Sequence, residues 1–348
     1  KEAEELATAL GKSGTVALLD LSNCKIDDDA CKHFGTAFDK MKNLKQLNMF
    51  GNDFKEEVKF LSKQNLELYS MKTIKFKNFD CDMTKNELFL ASHGLEDVDM
   101  LSVAPLLKKM AALESVVLSR NEIGDKGMEH LADSLGSAPR LKTLELNILN
   151  ISFMGMGCVA RGLNTMTALR ELNMSRNPIG NNGMEHLANG LEKHIPLAML
   201  DLGDAQIGDK GMEYLARALH KMTALEILKL NSNEVGNKGM EALSTALDNL
   251  TQLKNLQLKN NSIEDDGVEH LSGALHSMKT LEVLNLSANN FGDGGLFFLQ
   301  RPLEMKPTPL KELKSLDLTK NDSIGPLGSA KIKQAWKKQG KNQNCLRV

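Results

Sequence analysis

The sequence predicts a curved α/β solenoid, with a parallel sheet of about twelve strands on its inner face and helices on its convex face. Three observations carry this. Apolar anchors recur at a fixed interval, a short strand pattern surrounds each anchor, and a helical pattern follows it. Aligning the second apolar residue of each LxxLxL stretch gives Leu19, Leu47, Ile74, Leu88, Val116, Leu144, Leu172, Leu200, Leu228, Leu256, Leu284 and Leu316. The intervals are 28, 27 and 14, then seven of 28, then 32.

The strand comes first in each unit. In Leu225-Glu226-Ile227-Leu228-Lys229-Leu230-Asn231-Ser232-Asn233 the stretch Leu228-Lys229-Leu230 alternates, which places two leucines on the core side of a short strand. Asn233 stands where the chain turns away, and a buried Asn there is expected to bond the backbone of a neighbouring unit. Phe79, His93, Leu149 and Ala205 interrupt this Asn column. The helix follows. Met128, Leu131, Ala132 and Leu135 fall at i, i+3, i+4 and i+7, and the pattern repeats from Met184 and from Met212. Asp125, Asp209 and Asp265 immediately precede these runs, where a carboxylate favours a helix N-terminus. No single unit encloses a core, so the units must stack.

This pattern resembles the leucine-rich repeat proteins of the ribonuclease-inhibitor-like subclass, over about residues 2–340. The resemblance implies the horseshoe fold and a binding role. Relatives in that subclass include the ribonuclease inhibitor, the Ran GTPase-activating protein, tropomodulin and the C-terminal sensor halves of NOD-like receptors. The last is the closest likeness. A regulator of a small GTPase and a tropomodulin-like cytoskeletal binding domain are the alternatives.

One domain is expected over 1–348: a helix of a preceding repeat in 1–15, repeats in 16–327, and a C-terminal capping helix with a basic tail in 328–348. Glu4-Glu5-Leu6-Ala7-Thr8-Ala9-Leu10 matches a repeat helix, so the chain is expected to open inside one and to be part of a larger protein. The 14 residues from Ile74 to Leu88 leave no room for a helix, which predicts a helix-free gap and a local bend. Residues 300–348 carry 11 Lys or Arg against 4 Asp or Glu. Within them Ser329–Gln339 reads as a basic helix that lays Ile332 and Trp336 on the last repeat. Contact of this basic end with a membrane surface is the second reading.

Composition removes several function classes. Charged residues are 25%, apolar residues 41% and the net charge is −2, which suits a soluble globular chain and gives no reason to expect nucleic acid. No run of about 18 apolar residues is present, so no membrane span is expected. Five cysteines without a CxxC pair argue against a disulfide framework or a structural zinc site and suggest a cytoplasmic setting. The sequons at Asn173 and Asn285 are then chance. Gly11-Lys12-Ser13 lacks the upstream glycine of a phosphate loop. His130, His186 and His270 share one repeat position and lie too far apart for one metal. Cys345-Leu346-Arg347-Val348 has the outline of a prenylation box, with Arg347 against it. It also has the outline of a strand that another sheet captures. No catalytic grouping, metal or cofactor is expected. Arg120 and Arg176, at matching places after strands, are the side chains a GTPase regulator would use.

The expected partner is another protein, and the expected site lies on the inner sheet. Side chains between and just after the two strand leucines point away from the core. In the C-terminal half these are polar: Asp201, Lys229, Asn231, Gln257, Lys259 and Asn285. In the N-terminal half they include Phe50, Lys75, Lys77, Phe89 and Val117, with Ile148 just past its strand. Exposed aromatics beside aliphatics and lysines suit an interaction hot spot.

Overall fold

In the computed structural model every anchor is the second residue of a strand. The structure describes residues 2–21, 24–26, 33–34, 37, 40–41, 44, 46–48, 73–76, 79–82, 85–110, 112–191 and 196–348. The strands are β1 Leu18–Asp20, β2 Gln46–Asn48, β3 Thr73–Phe76, β4 Phe79–Asp82, β5 Glu87–Phe89, β6 Ser115–Val117, β7 Thr143–Glu145, β8 Glu171–Asn173, β9 Met199–Asp201, β10 Ile227–Lys229, β11 Asn255–Gln257, β12 Val283–Asn285, β13 Ser315–Asp317 and β14 Leu346–Arg347. The helices are α1 Glu2–Lys12, α2 Met100–Lys109, α3 Asp125–Leu135, α4 Phe153–Leu163, α5 Gly180–Leu191, α6 Asp209–Leu219, α7 Asn237–Leu247, α8 Asp265–Ala274, α9 Asp293–Glu304 and α10 Pro326–Lys338.

Strands β5 to β14 form one ten-stranded parallel sheet in sequence order. Leu88, Val116, Leu144, Leu172, Leu200, Leu228, Leu256, Leu284, Leu316 and Leu346 are successive partners across it. All ten are buried. Each helix from α2 to α9 packs on the helix of the next unit. A helix is about 10 Å across, whereas strands stand about 4.8 Å apart. A sheet backed by one helix per strand must therefore curve with its strands inside. The helical stripe is buried as its period predicts: Met128, Leu131, Ala132 and Leu135 are at most 1% exposed.

The single continuous sheet of about twelve strands needs amendment at the short unit. Strands β1 to β4 form a separate four-stranded sheet, and among the described residues nothing pairs β4 with β5. Leu19, Leu47 and Ile74 are in parallel register, as expected, but β4 turns back antiparallel on β3 and pairs Lys75 with Asp80. Fourteen residues are too few for a strand, a helix and a return. The chain uses them for a tight hairpin instead, and no described residue between β3 and β5 is helical.

The C-terminal end also holds more order than a capping helix and tail. Ile332 and Trp336 of α10 are buried on the last repeat, and Trp336 Nε1 donates to the carbonyl of Asn342 at 2.9 Å. The chain then adds β14, with Leu346 opposite Leu316. Leu346 is thus engaged by this chain's own sheet, and Cys345 beside it is half-buried against the core.

The Asn column works as expected. Asn233 Nδ2 donates to the carbonyls of Leu202 at 2.9 Å and Leu230 at 3.0 Å. Its Oδ1 accepts from the amides of Ala205 at 3.1 Å and Ile207 at 3.0 Å. Asn121, Asn177, Asn261, Asn289 and Asn321 likewise bridge their own strand to the preceding unit. The apolar substitutes Leu149 and Ala205 are buried.

The Asp column acts one unit further on than expected. Asp125 makes no cap on its own helix, α3. Its Oδ1 accepts from the amides of Ser152 at 2.8 Å and Gly155 at 3.0 Å, at the start of α4. Asp209 binds Gly236 and Gly239 before α7 and within it, and Asp265 binds Gly292 and Gly295 at α9. Asp97 and Asn181 do the same for α3 and α6. The parallel stack sets each such side chain beside the next N-terminus, where four amides lack intrahelical partners. The carboxylates thus join neighbouring units.

Candidate inner-face interface

A three-residue strand has one side chain facing the helices and two facing away. The anchors face the helices. Two rows therefore line the inner face: the residue before each anchor and the residue after it. The row after the anchors runs Phe89, Val117, Glu145, Asn173, Asp201, Lys229 across β5 to β10. The row before them runs Glu87, Ser115, Thr143, Glu171, Met199, Ile227. Strand spacing makes the distance from Phe89 to Asp201 about 19 Å.

Phe89 is 65% exposed, and Val117, its register partner, is half-buried. A largely exposed aromatic beside an aliphatic is an unusual pair on a solvated sheet. Met199 and Ile227, also register partners, are both half-buried. Ile148 is half-buried just beyond β7, with φ of 57°. It shares this left-handed position with Arg120, Arg176, Asp204, Ser232, Asn260 and others, one per repeat. Left-handed backbone turns each strand into its loop, but a β-branched residue is strained in it.

The six expected site residues separate in the structure. Phe89 and Val117 are adjacent, and Ile148 follows one strand along. Lys75 lies in β3 of the other sheet, outside the ladder that holds Phe89. Phe50 and Lys77 lie outside the described residues. Arg120 and Arg176 are exposed on the rim, and among the described residues neither guanidinium has an ion-pair partner.

The row before the anchors was missed in the sequence, because only positions between and after the leucines were counted as inward. Period two assigns both rows to one face, so Glu87, Glu171, Met199 and Ile227 were legible. The charges of this face also differ from those of its rim. At the rim, Glu114 binds Lys142 at 2.9 Å, Glu226 binds Lys254 at 2.7 Å and Glu282 binds Lys314 at 2.8 Å. The hydrogen bond from Lys142 holds the Glu114 carboxyl below its ordinary value, and the bond to Glu226 raises Lys254. On the inner face Lys229 binds Asp201 at 3.1 Å. Glu87, Glu145 and Glu171 have no cationic partner among the described residues.

His130 of α3 and His270 of α8 are half-buried and His186 of α5 is exposed, and no group of three His, Cys, Asp or Glu among the described residues can hold a metal. Burial pushes the Cys158 thiol up, away from the reactive thiolate. No described helix is long and apolar enough to cross a membrane.

Comparison with known proteins agrees with the repeat. The family model described as Leucine Rich repeat matches residues 111–132, 165–188, 199–216, 221–244, 277–299 and 312–332. These six stretches are leucine-rich repeats. No curated protein matches the chain. Among solved structures, an internalin from Listeria monocytogenes is similar at 18% identity and a TM-score of 0.46, over 95% of this chain and 92% of that one.

Proposed function

We propose that the chain is a cytoplasmic protein-binding scaffold that takes its partner on the inner face of β5 to β9. The observation that carries this is Phe89: an aromatic ring left 65% exposed on a strand whose buried side is fully packed. Val117 and Ile148 extend the apolar surface, and Met199 lies beyond them. The 28-residue period supports placement with the ribonuclease-inhibitor-like repeats, and binding by an inner face suits the sensor half of a NOD-like receptor. Lys75, Lys77 and Phe50 remain proposed contributors from the N-terminal units.

A peptide-display library panned on the purified protein tests the reading. The wild-type protein is expected to enrich a sequence family, and Phe89→Asp is expected to lose it while keeping its circular dichroism spectrum. Equal enrichment by both proteins would move the site off this face.

A further inference from the structure

The inner face has a charge pattern that its apolar residues alone do not explain. Its first five strands, β5 to β9, carry Glu87, Glu145, Glu171 and Asp201 at inward positions, and no Lys or Arg at any of them. The first inward cation is Lys229 of β10, and Asp201 already holds it. Three carboxylates therefore stand on this face without a counter-charge among the described residues. The rim treats its carboxylates differently, pairing Glu114, Glu226 and Glu282 with lysines of the next unit.

Apolar residues interleave with these acids. Phe89 sits one strand from Val117, Glu145 follows on the next strand, and Glu171 lies beside Met199. A partner covering this face must bury Phe89 and Val117 while supplying positive charge to Glu87, Glu145 and Glu171. A neutral or acidic partner would strip water from unpaired carboxylates, at a large loss of affinity.

Resting on the reading above that this face binds a protein, we infer that its partner is a cationic segment in extended form, with lysine or arginine and apolar side chains taking turns at every second residue. This spacing suits the face because only every second side chain of an extended chain, about 6.6–6.8 Å apart, points to one side. On that one side, cations meet Glu145 and Glu171 while the apolar side chains between them meet Val117 and Met199, the neighbours of those acids in the register.

Fluorescence anisotropy with two labelled twelve-residue probes tests this: one repeats Lys-Ser-Leu-Ser, the other Glu-Ser-Leu-Ser. The lysine probe is expected to bind, to weaken as salt rises, and to be preferred over the glutamate probe. Glu145→Gln and Glu171→Gln should each weaken it by roughly two- to fivefold, the scale of an exposed ion pair. Phe89→Ala should weaken it by roughly tenfold or more. Circular dichroism checks that each variant is folded. Equal binding of both probes, with both weakened by Phe89→Ala, would overturn the charge inference and leave the binding face intact. Lysine-probe binding that no inner-face variant alters would overturn the face itself. Failure of both probes to bind would overturn the inference.

Discussion

Replacing Ile148 with asparagine should leave the protein as stable or slightly more stable, and should weaken binding. Ile148 holds a left-handed backbone with φ of 57°, and Asn260, four repeats on, holds the same conformation with the same φ. An L-residue loses roughly 1–2 kcal/mol in this region, and asparagine tolerates it through local hydrogen bonds. Against this stands the half-buried isoleucine side chain. Half of a full Ile burial contributes about 1 kcal/mol. The two effects nearly cancel, so the expected change is between zero and about 1 kcal/mol of added stability. Urea denaturation followed by circular dichroism reads it. The same substitution at fully buried Ile151 should cost several kcal/mol and serves as the contrast. Binding of a panned peptide should fall several-fold in the Ile148 variant. A stability loss above about 1 kcal/mol would refute the reasoning, because Ile148 would then be held by packing.

Three further outcomes follow from the repeat architecture. Asn233→Ala removes a donor shared by two carbonyls and an acceptor for two amides, all buried, and should cost about 2–4 kcal/mol in a denaturant titration. Phe153 occupies the column where Asp125 and Asp209 cap the next helix, is 45% exposed, and leaves Gly180 in left-handed backbone with its amide bonded to Ala205. Phe153→Asp should therefore stabilise the start of α5, by up to about 1 kcal/mol of cap energy measured by hydrogen exchange. The raised Cys158 thiol should be alkylated by iodoacetamide at pH 8 much more slowly in the folded protein than in urea, read by mass spectrometry at that residue.

Much of the fold was legible because the repeat writes the same physical demand many times. Each anchor must be apolar, each buried Asn must satisfy neighbouring backbone, and the period brings both into register. Interactions between units were harder to see. Asp125 precedes its own helix in sequence, yet the stack places it beside the next one, and no local signal distinguishes the two. The strand at Leu346 was hidden because it lies 30 residues past Leu316, behind the helix and loop of the end, with no Asn turn after it. The hairpin of β3 and β4 was half visible: fourteen residues excluded a helix, but not a reversal of direction. On the site, Phe89 and Val117 stood out by chemistry. Met199, Ile227, Glu87 and Glu171 did not, because they precede the anchors rather than lie between the leucines, and Glu145, in the row of Phe89, shows its want of a counter-charge only in three dimensions. Phe50 and Lys77 lie outside the described residues and stay with the proposal.

Site-specific photocrosslinking tests the central claim most directly. Benzoylphenylalanine placed at Phe89 samples the inner face, and the same residue at Phe297, 54% exposed on α9, samples the helical face. Both replace an exposed phenylalanine, so neither should disturb the fold. With a peptide enriched on the wild-type protein, the account predicts crosslinks from position 89, suppressed by excess unlabelled peptide, and none above background from position 297. Crosslinks from position 297 alone, or equally from both, would contradict recognition by the inner face.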